Sequence, residues 1–182
     1  MKRIILAMLA FNLASCAGQS APAAEVQEAP MTLSITSTAF AQAQPIPVLY
    51  SCDGKGISPP LAWSGAPAAT KSFALIMDDP DAPMGTYVHW VIYNIPSSAV
   101  GLPQATSKDA ELTDGSLQGP NTGGRTGYTG PCPPGGTHRY FFKLYALDTM
   151  LSISGVGKDQ LLKAMQGHIL AQGELMGTFT RK

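Results

Sequence analysis

Apolar positions cluster in three short runs, the first of them unbroken. Phe73 to Met77, His89 to Ile95 and Arg139 to Leu147 are each bounded by turn residues. Runs of this length suit strands buried on both faces. Thr32 to Thr36, TLSIT, instead alternates apolar and polar, as a half-buried strand does. Ser58-Pro59-Pro60 demands extended backbone, and the following Trp63 is a core anchor. Over Lys158 to Leu170 the period changes. Leu161, Leu162, Met165 and Ile169 recur at helical spacing, with Ser154 or Gly157 to start the helix and Gly173 to stop it. Leu175 to Thr180 reads as a last strand. Between the second and third runs, Asp109 to Thr137 is rich in Gly, Pro, Asn and Thr. A loop this long inside a compact domain is uncommon unless it is functional.

The ends of the runs carry the chemistry. The first closes in Asp78-Asp79-Pro80-Asp81-Ala82-Pro83. Two prolines cannot continue a central strand, and three neighbouring carboxylates repel one another unless cations or hydrogen-bond donors meet them. The second run begins with His89. The third follows Gly130-Pro131-Cys132-Pro133-Pro134-Gly135-Gly136-Thr137-His138, so a second histidine is also delivered to a strand mouth by a Pro/Gly turn. One pocket can gather Asp79, Asp81, His89 and His138.

Composition narrows the class. The 182 residues carry 12 Lys+Arg against 12 Asp+Glu, with no basic block, which excludes a nucleic-acid footprint. With 19 Gly and 15 Pro, turns are frequent, which favours a β-rich domain over a helical bundle. Lys2, Arg3 and the apolar stretch Ile4 to Leu13 resemble an export signal, and Leu13-Ala14-Ser15-Cys16 resembles a bacterial lipoprotein processing site. The chain thus divides into a signal segment 1–15, a Pro-containing tether 16–30 and a domain 31–182. Cys16 is the expected lipidation site and the membrane anchor. Ala17 after it resembles the sorting pattern for the outer membrane, facing the periplasm. With Cys16 lipidated in an exported protein, Cys52 and Cys132 remain as one pair, and a disulfide is the default.

Asp79-Pro80-Asp81-Ala82-Pro83, then His89-Trp90, then Gly130-Pro131 through His138-Arg139-Tyr140 resemble the signature of the phosphatidylethanolamine-binding protein family, in its bacterial Raf kinase inhibitor-like branch. The resemblance covers the whole domain. It implies a Greek-key β-sandwich of two antiparallel sheets with a few peripheral helices. It also implies a small anion pocket lined by Asp79, Asp81, Pro83, His89, Gly119, His138 and Tyr140. Arg139 matches the motif in a packing role. The expected ligand is a phosphate-containing or otherwise anionic small molecule. The histidines receive the anion as imidazolium, an Asp holds their orientation, and the carboxylates receive an ammonium from the same head group. The expected activity is binding without catalysis. The alternative is docking to a protein partner, inhibiting a protease or a kinase. A hydrolase or a metal enzyme is the weaker reading. Trp63-Ser64-Gly65 is not a nucleophile elbow, no spacing demands a metal, and no cofactor is expected.

Overall fold

A computed structural model of the chain describes residues 31–181. The expected signal segment, Cys16 and the tether lie outside the described residues. In chain order the elements are β1 (Met31–Thr32), β2 (Ser34–Thr36), a 3-10 turn (Val48–Tyr50), β3 (Leu61–Ser64), β4 (Ser72–Asp79), β5 (Tyr87–Pro96), β6 (Gly101–Leu102), β7 (Leu117–Gly119), β8 (Gly136–Leu147), α1 (Lys158–Met165) and β9 (Ile169–Arg181). They build a six-stranded sheet in the order β1-β9-β8-β4-β5-β7 and a three-stranded sheet in the order β2-β3-β6. The fold is mainly β, as expected. β4 pairs with its neighbour in sequence, β5, and with the distant β8.

The large sheet is covered on both faces, which explains the apolar runs. Phe73, Leu75, Met77, Trp90, Ile92, Tyr140, Phe142 and Leu144 point to the small sheet and pack with Ile35, Leu61 and Trp63. Ala74, Ile76, Val91, Tyr93 and Leu147 point the other way and are covered by Leu161 and Met165 of α1 and by Leu151. All eight residues of β4 are buried. Strands lined on both sides have no polar face to alternate with.

Three expectations need correction. Thr32–Thr36 is not one strand: Leu33 separates β1, which runs parallel to β9 in the large sheet, from β2, which pairs with β3 in the small one. The β1–β9 pairing is parallel, and the other strand pairings of the two sheets are antiparallel. Helix α1 stops at Met165, so Ile169 belongs to a strand despite its helical spacing. Gly167 makes the turn with φ of 79°, a conformation that other residues rarely adopt. The final strand begins at Ile169 rather than Leu175 and passes through Gly173, because β9 pairs with β8 along almost its whole length. That ladder outweighs local periodicity.

Candidate functional site

β4, β5 and β8 bring their functional ends together. On β8, His138 and Tyr140 are two residues apart and share the face that looks toward the small sheet, whereas Arg139 between them points outward. On β5 the pairing with β4 slips by one between Met77–Trp90 and Asp78–Val88. His89 is the extra residue of this bulge. Bulges re-aim side chains beside functional sites, and here the bulged residue lines the same pocket as His138.

Asp79 ends β4 and is 3 % exposed. Its Oδ2 accepts from His138 Nδ1 at 2.7 Å, and its Oδ1 accepts from the Asp81 backbone N–H at 2.8 Å. Both carboxylate oxygens are thus engaged. His89 donates from Nδ1 to the Thr129 carbonyl at 2.8 Å. Burial pushes the His89 imidazole below its ordinary range, opposed by that carbonyl and by the charges of Asp79 and Asp78. At neutral pH this ring is uncharged and its Nε2 carries a lone pair. The His89 ring stands edge-on to Tyr140 at 5.2 Å and is tilted against Tyr87 at 4.8 Å.

Asp79, Tyr87, His89, Thr129 and His138 line a cavity of about 240 Å³, together with Ala82, Pro83, Gly130, Cys132, Pro133 and Pro134. The Tyr140 hydroxyl is buried without a hydrogen-bond partner. Burial raises its pKa, and the nearby Asp79 carboxylate adds to the shift, so the hydroxyl keeps its proton and remains a donor. Clefts of about 480 and 510 Å³ open elsewhere, one lined by Thr86, Asn121 and Lys158, the other by Lys143, Tyr145 and Glu174. They are larger, but neither gathers the imidazoles, the carboxylate and the unpartnered hydroxyl. Chemistry, rather than volume, selects the smaller cavity.

A family model described as Phosphatidylethanolamine-binding protein matches residues 36–180. The chain belongs to the phosphatidylethanolamine-binding protein family. A UPF0098 protein of Methanothermobacter thermautotrophicus is 50 % identical over 150 residues, which cover 82 % of this chain and 99 % of that one. A solved structure of a putative phosphatidylethanolamine-binding protein homolog from Chlamydia trachomatis superposes with a TM-score of 0.77 at 45 % identity, covering 83 % of this chain and 99 % of that one. Escherichia coli YbcL, described as a new member of the mammalian family, gives 0.74 at 32 % identity, covering 82 % and 99 %.

Within this phosphatidylethanolamine-binding protein fold, the residues singled out by sequence separate. Asp79, Pro83, His89 and His138 line the cavity, and the Tyr140 hydroxyl is buried in contact range of Asp79 and the Cys132 backbone. Asp81 faces outward, where Arg139 holds it through Nε at 2.9 Å and Nη2 at 2.7 Å. The guanidinium keeps the Asp81 carboxyl near about 2. Gly119 does not line the cavity. It lies in β7, where a Cβ would fall 1.8 Å from the Val156 carbonyl oxygen, so its glycine serves backbone packing. Of the two carboxylates expected to face an ammonium, only Asp79 lines the cavity, and each of its oxygens already accepts one hydrogen bond. Cys52 and Cys132 are joined in a disulfide, as expected. Tyr87 and Thr129 went unremarked in the sequence. The role of Thr129 rests on its backbone carbonyl, for which no residue type gives a signal. Among the described residues, no group of three or more His, Cys, Asp and Glu is placed to hold a metal, and no helix is long and apolar enough to cross a membrane.

Proposed function

We propose that this cavity binds a small phosphate-bearing or otherwise anionic head group and holds it without turning it over. The convergence of His89, His138 and Asp79 on one cavity carries the reading, and the Tyr140 hydroxyl, buried next to His89 without a hydrogen-bond partner, supports it. A buried donor left unpaired costs about 1–3 kcal/mol, and a ligand oxygen beside it relieves that cost. Asp79 fixes the His138 ring by accepting from Nδ1 and leaves Nε2 for the ligand, to which it donates when the ring carries both protons. His89 presents a bare Nε2, so a phosphate dianion binds together with a proton, carried by the ring or by the phosphate itself. Cys132, six residues before His138 and so a nucleophile candidate, is consumed by the disulfide, which favours binding over covalent catalysis.

The test is calorimetry with inorganic phosphate and with phosphoethanolamine. A ligand this small has few atoms, so Kd on the order of micromolar to millimolar is expected. Because both carboxylates are engaged, the ammonium group adds little, and the two ligands bind within about threefold of each other. Turnover of a phosphoester would overturn the non-catalytic part.

We also propose that Cys16 carries the lipid anchor. Its support is the sequence pattern alone. Cys16→Ser is expected to leave the membrane fraction or to accumulate as precursor, and a processed, membrane-bound Ser variant would contradict the anchor.

A further inference from the structure

The Cys52–Cys132 disulfide lies at the cavity, and ligand binding leaves it unused. Cys132 forms part of the cavity wall. Both cysteines are exposed, and exposed disulfides are the labile and regulatory ones more often than buried ones are. Two charges flank this one unequally. Arg181 Nη1 lies 3.6 Å from Cys132 Sγ. Asp53 Oδ1 lies 3.8 Å from Cys52 Sγ, and Arg181 Nε meets the same carboxylate oxygen at 3.2 Å. A thiolate on Cys132 therefore sits against a guanidinium, whereas one on Cys52 faces a carboxylate. The sulfur with the better-stabilised thiolate is the better leaving group.

The disulfide also holds what orients the two histidines. Thr129, whose carbonyl fixes the His89 ring, lies three residues before Cys132, and His138 lies six after it. Across the same junction, the Cys52 N–H donates to the Pro131 carbonyl at 3.0 Å and the Tyr128 hydroxyl to the Tyr50 carbonyl at 2.8 Å. These hydrogen bonds keep the loops together when the sulfur bond is cut, but they hold the side before Cys132. Between Cys132 and the β8–β9 ladder, which begins at Gly136, the cavity-wall residues Pro133 and Pro134 then lose their nearest covalent tie.

We propose that Cys52–Cys132 is a thiol-exchange site, attacked at Cys52 by small-molecule thiols, and that its reduction loosens the ligand cavity. The thiolate of the first thiol bonds to Cys52 Sγ as the Cys52–Cys132 bond breaks, and the electron pair leaves on Cys132 beside Arg181. A second thiolate attacks the sulfur of the first thiol in this mixed disulfide. It releases the oxidised thiol pair and a Cys52 thiolate, which takes a proton from water. Two thiols thus supply the two electrons that reduce the disulfide. The cavity consequence rests on the anion-binding reading above; the exchange itself does not.

The experiment uses the full chain carrying Cys16→Ser, so that only this pair reacts. The protein is exposed to limiting reduced glutathione, quenched with an alkylating agent and mapped by mass spectrometry. The expected product carries glutathione on Cys52 and the alkyl group on Cys132, with the circular dichroism of the folded protein unchanged. Arg181→Ala is expected to slow its formation about threefold to tenfold, and Arg181→Lys to restore much of the rate. On full reduction, the ring signals of His89 and His138 in NMR shift, and the Kd for inorganic phosphate rises at least about threefold. Glutathione on Cys132, or no adduct until the protein unfolds, overturns the exchange site. Unmoved histidine signals in the reduced protein overturn the link to the cavity. If the oxidised protein fails to bind phosphate, the anion-binding reading falls, and the histidine signals still decide the link.

Discussion

Asp78 and Asp79 are neighbours on β4, both buried, and they do different work. Side chains alternate across a strand, so Asp78 emerges on the helix side of the large sheet and Asp79 on the cavity side. Asp78 meets two ammonium groups, Lys143 from β8 and Lys158 from the start of α1. It is a carboxylate outnumbered by cations and shut off from the cavity, so it joins the helix to the sheet. Asp79 meets one imidazole and one backbone N–H. Its partner His138 keeps a second ring nitrogen for something else. The two aspartates teach a way of separating a structural charge from a functional one. A structural charge is satisfied by groups that end there, whereas a functional charge positions a group that still has a free valence.

Asp78→Ala leaves two ammonium groups facing each other without their counter-ion. Removing one member of a buried charge cluster costs about 3–5 kcal/mol, and partial exposure of both lysines places this case near about 3 kcal/mol. Urea denaturation measures that loss, while phosphate affinity is expected to stay within about twofold. A stable Asp78→Ala protein that no longer binds would reverse the assignment of the two aspartates. His138→Ala is expected to do the opposite. It removes a ligand donor and weakens phosphate binding by about 1.5–3 kcal/mol, read by calorimetry, with a smaller effect on the urea midpoint. Asp81→Asn is the mildest. Its carboxylate is partly exposed beside Arg139 and does not line the cavity, so phosphate affinity stays unchanged and Tm falls by about 1 °C or less at neutral pH. The folded carboxyl lies at about 2 against an ordinary 3.8. Its contribution is therefore present above about 3.8 and is lost as pH falls toward 2. The Asn variant converges on wild-type stability there, and a gap that widens in acid would contradict the pair.

The same contrast marks what the sequence made legible. β4, β5 and β8 were readable because both faces of the sheet are covered, which leaves apolar runs of strand length bounded by turn residues. The two histidines were readable because each follows a turn and opens such a run. The split of Asp78 from Asp79 was open to inspection as strand alternation, but their partners were not. Lys143 and Lys158 are far apart in the chain and meet only through the β4–β8 pairing and the placement of α1. Ile169 misled because Leu161, Leu162 and Met165 before it do form a helix, and nothing local reveals that β8 claims the residues after Gly167. Gly119 was attributed to the cavity by resemblance, and Asp81 by its place in the acidic turn as well. Their side-chain environments, a carbonyl oxygen pressed on one and a guanidinium on the other, come from segments remote in sequence. The orphaned Tyr140 hydroxyl has no sequence signature, since a tyrosine on a buried strand ordinarily finds a partner.

The central claim is that Asp79 serves the anion although it carries the same charge, by holding the His138 donor in place. Calorimetric titration of inorganic phosphate into wild type and Asp79→Asn, at several pH values from about 5.5 to 8.5 around the histidine range, tests it directly. Ligand binding raises the proton affinity of His89, so wild-type affinity is expected to weaken as pH rises through this range. Asp79→Asn is expected to bind more weakly than wild type throughout, because the imidazole loses its charged partner. Tighter binding by the Asn variant would mean that Asp79 merely repels the anion, and no binding by wild type at any pH would contradict the cavity as an anion site.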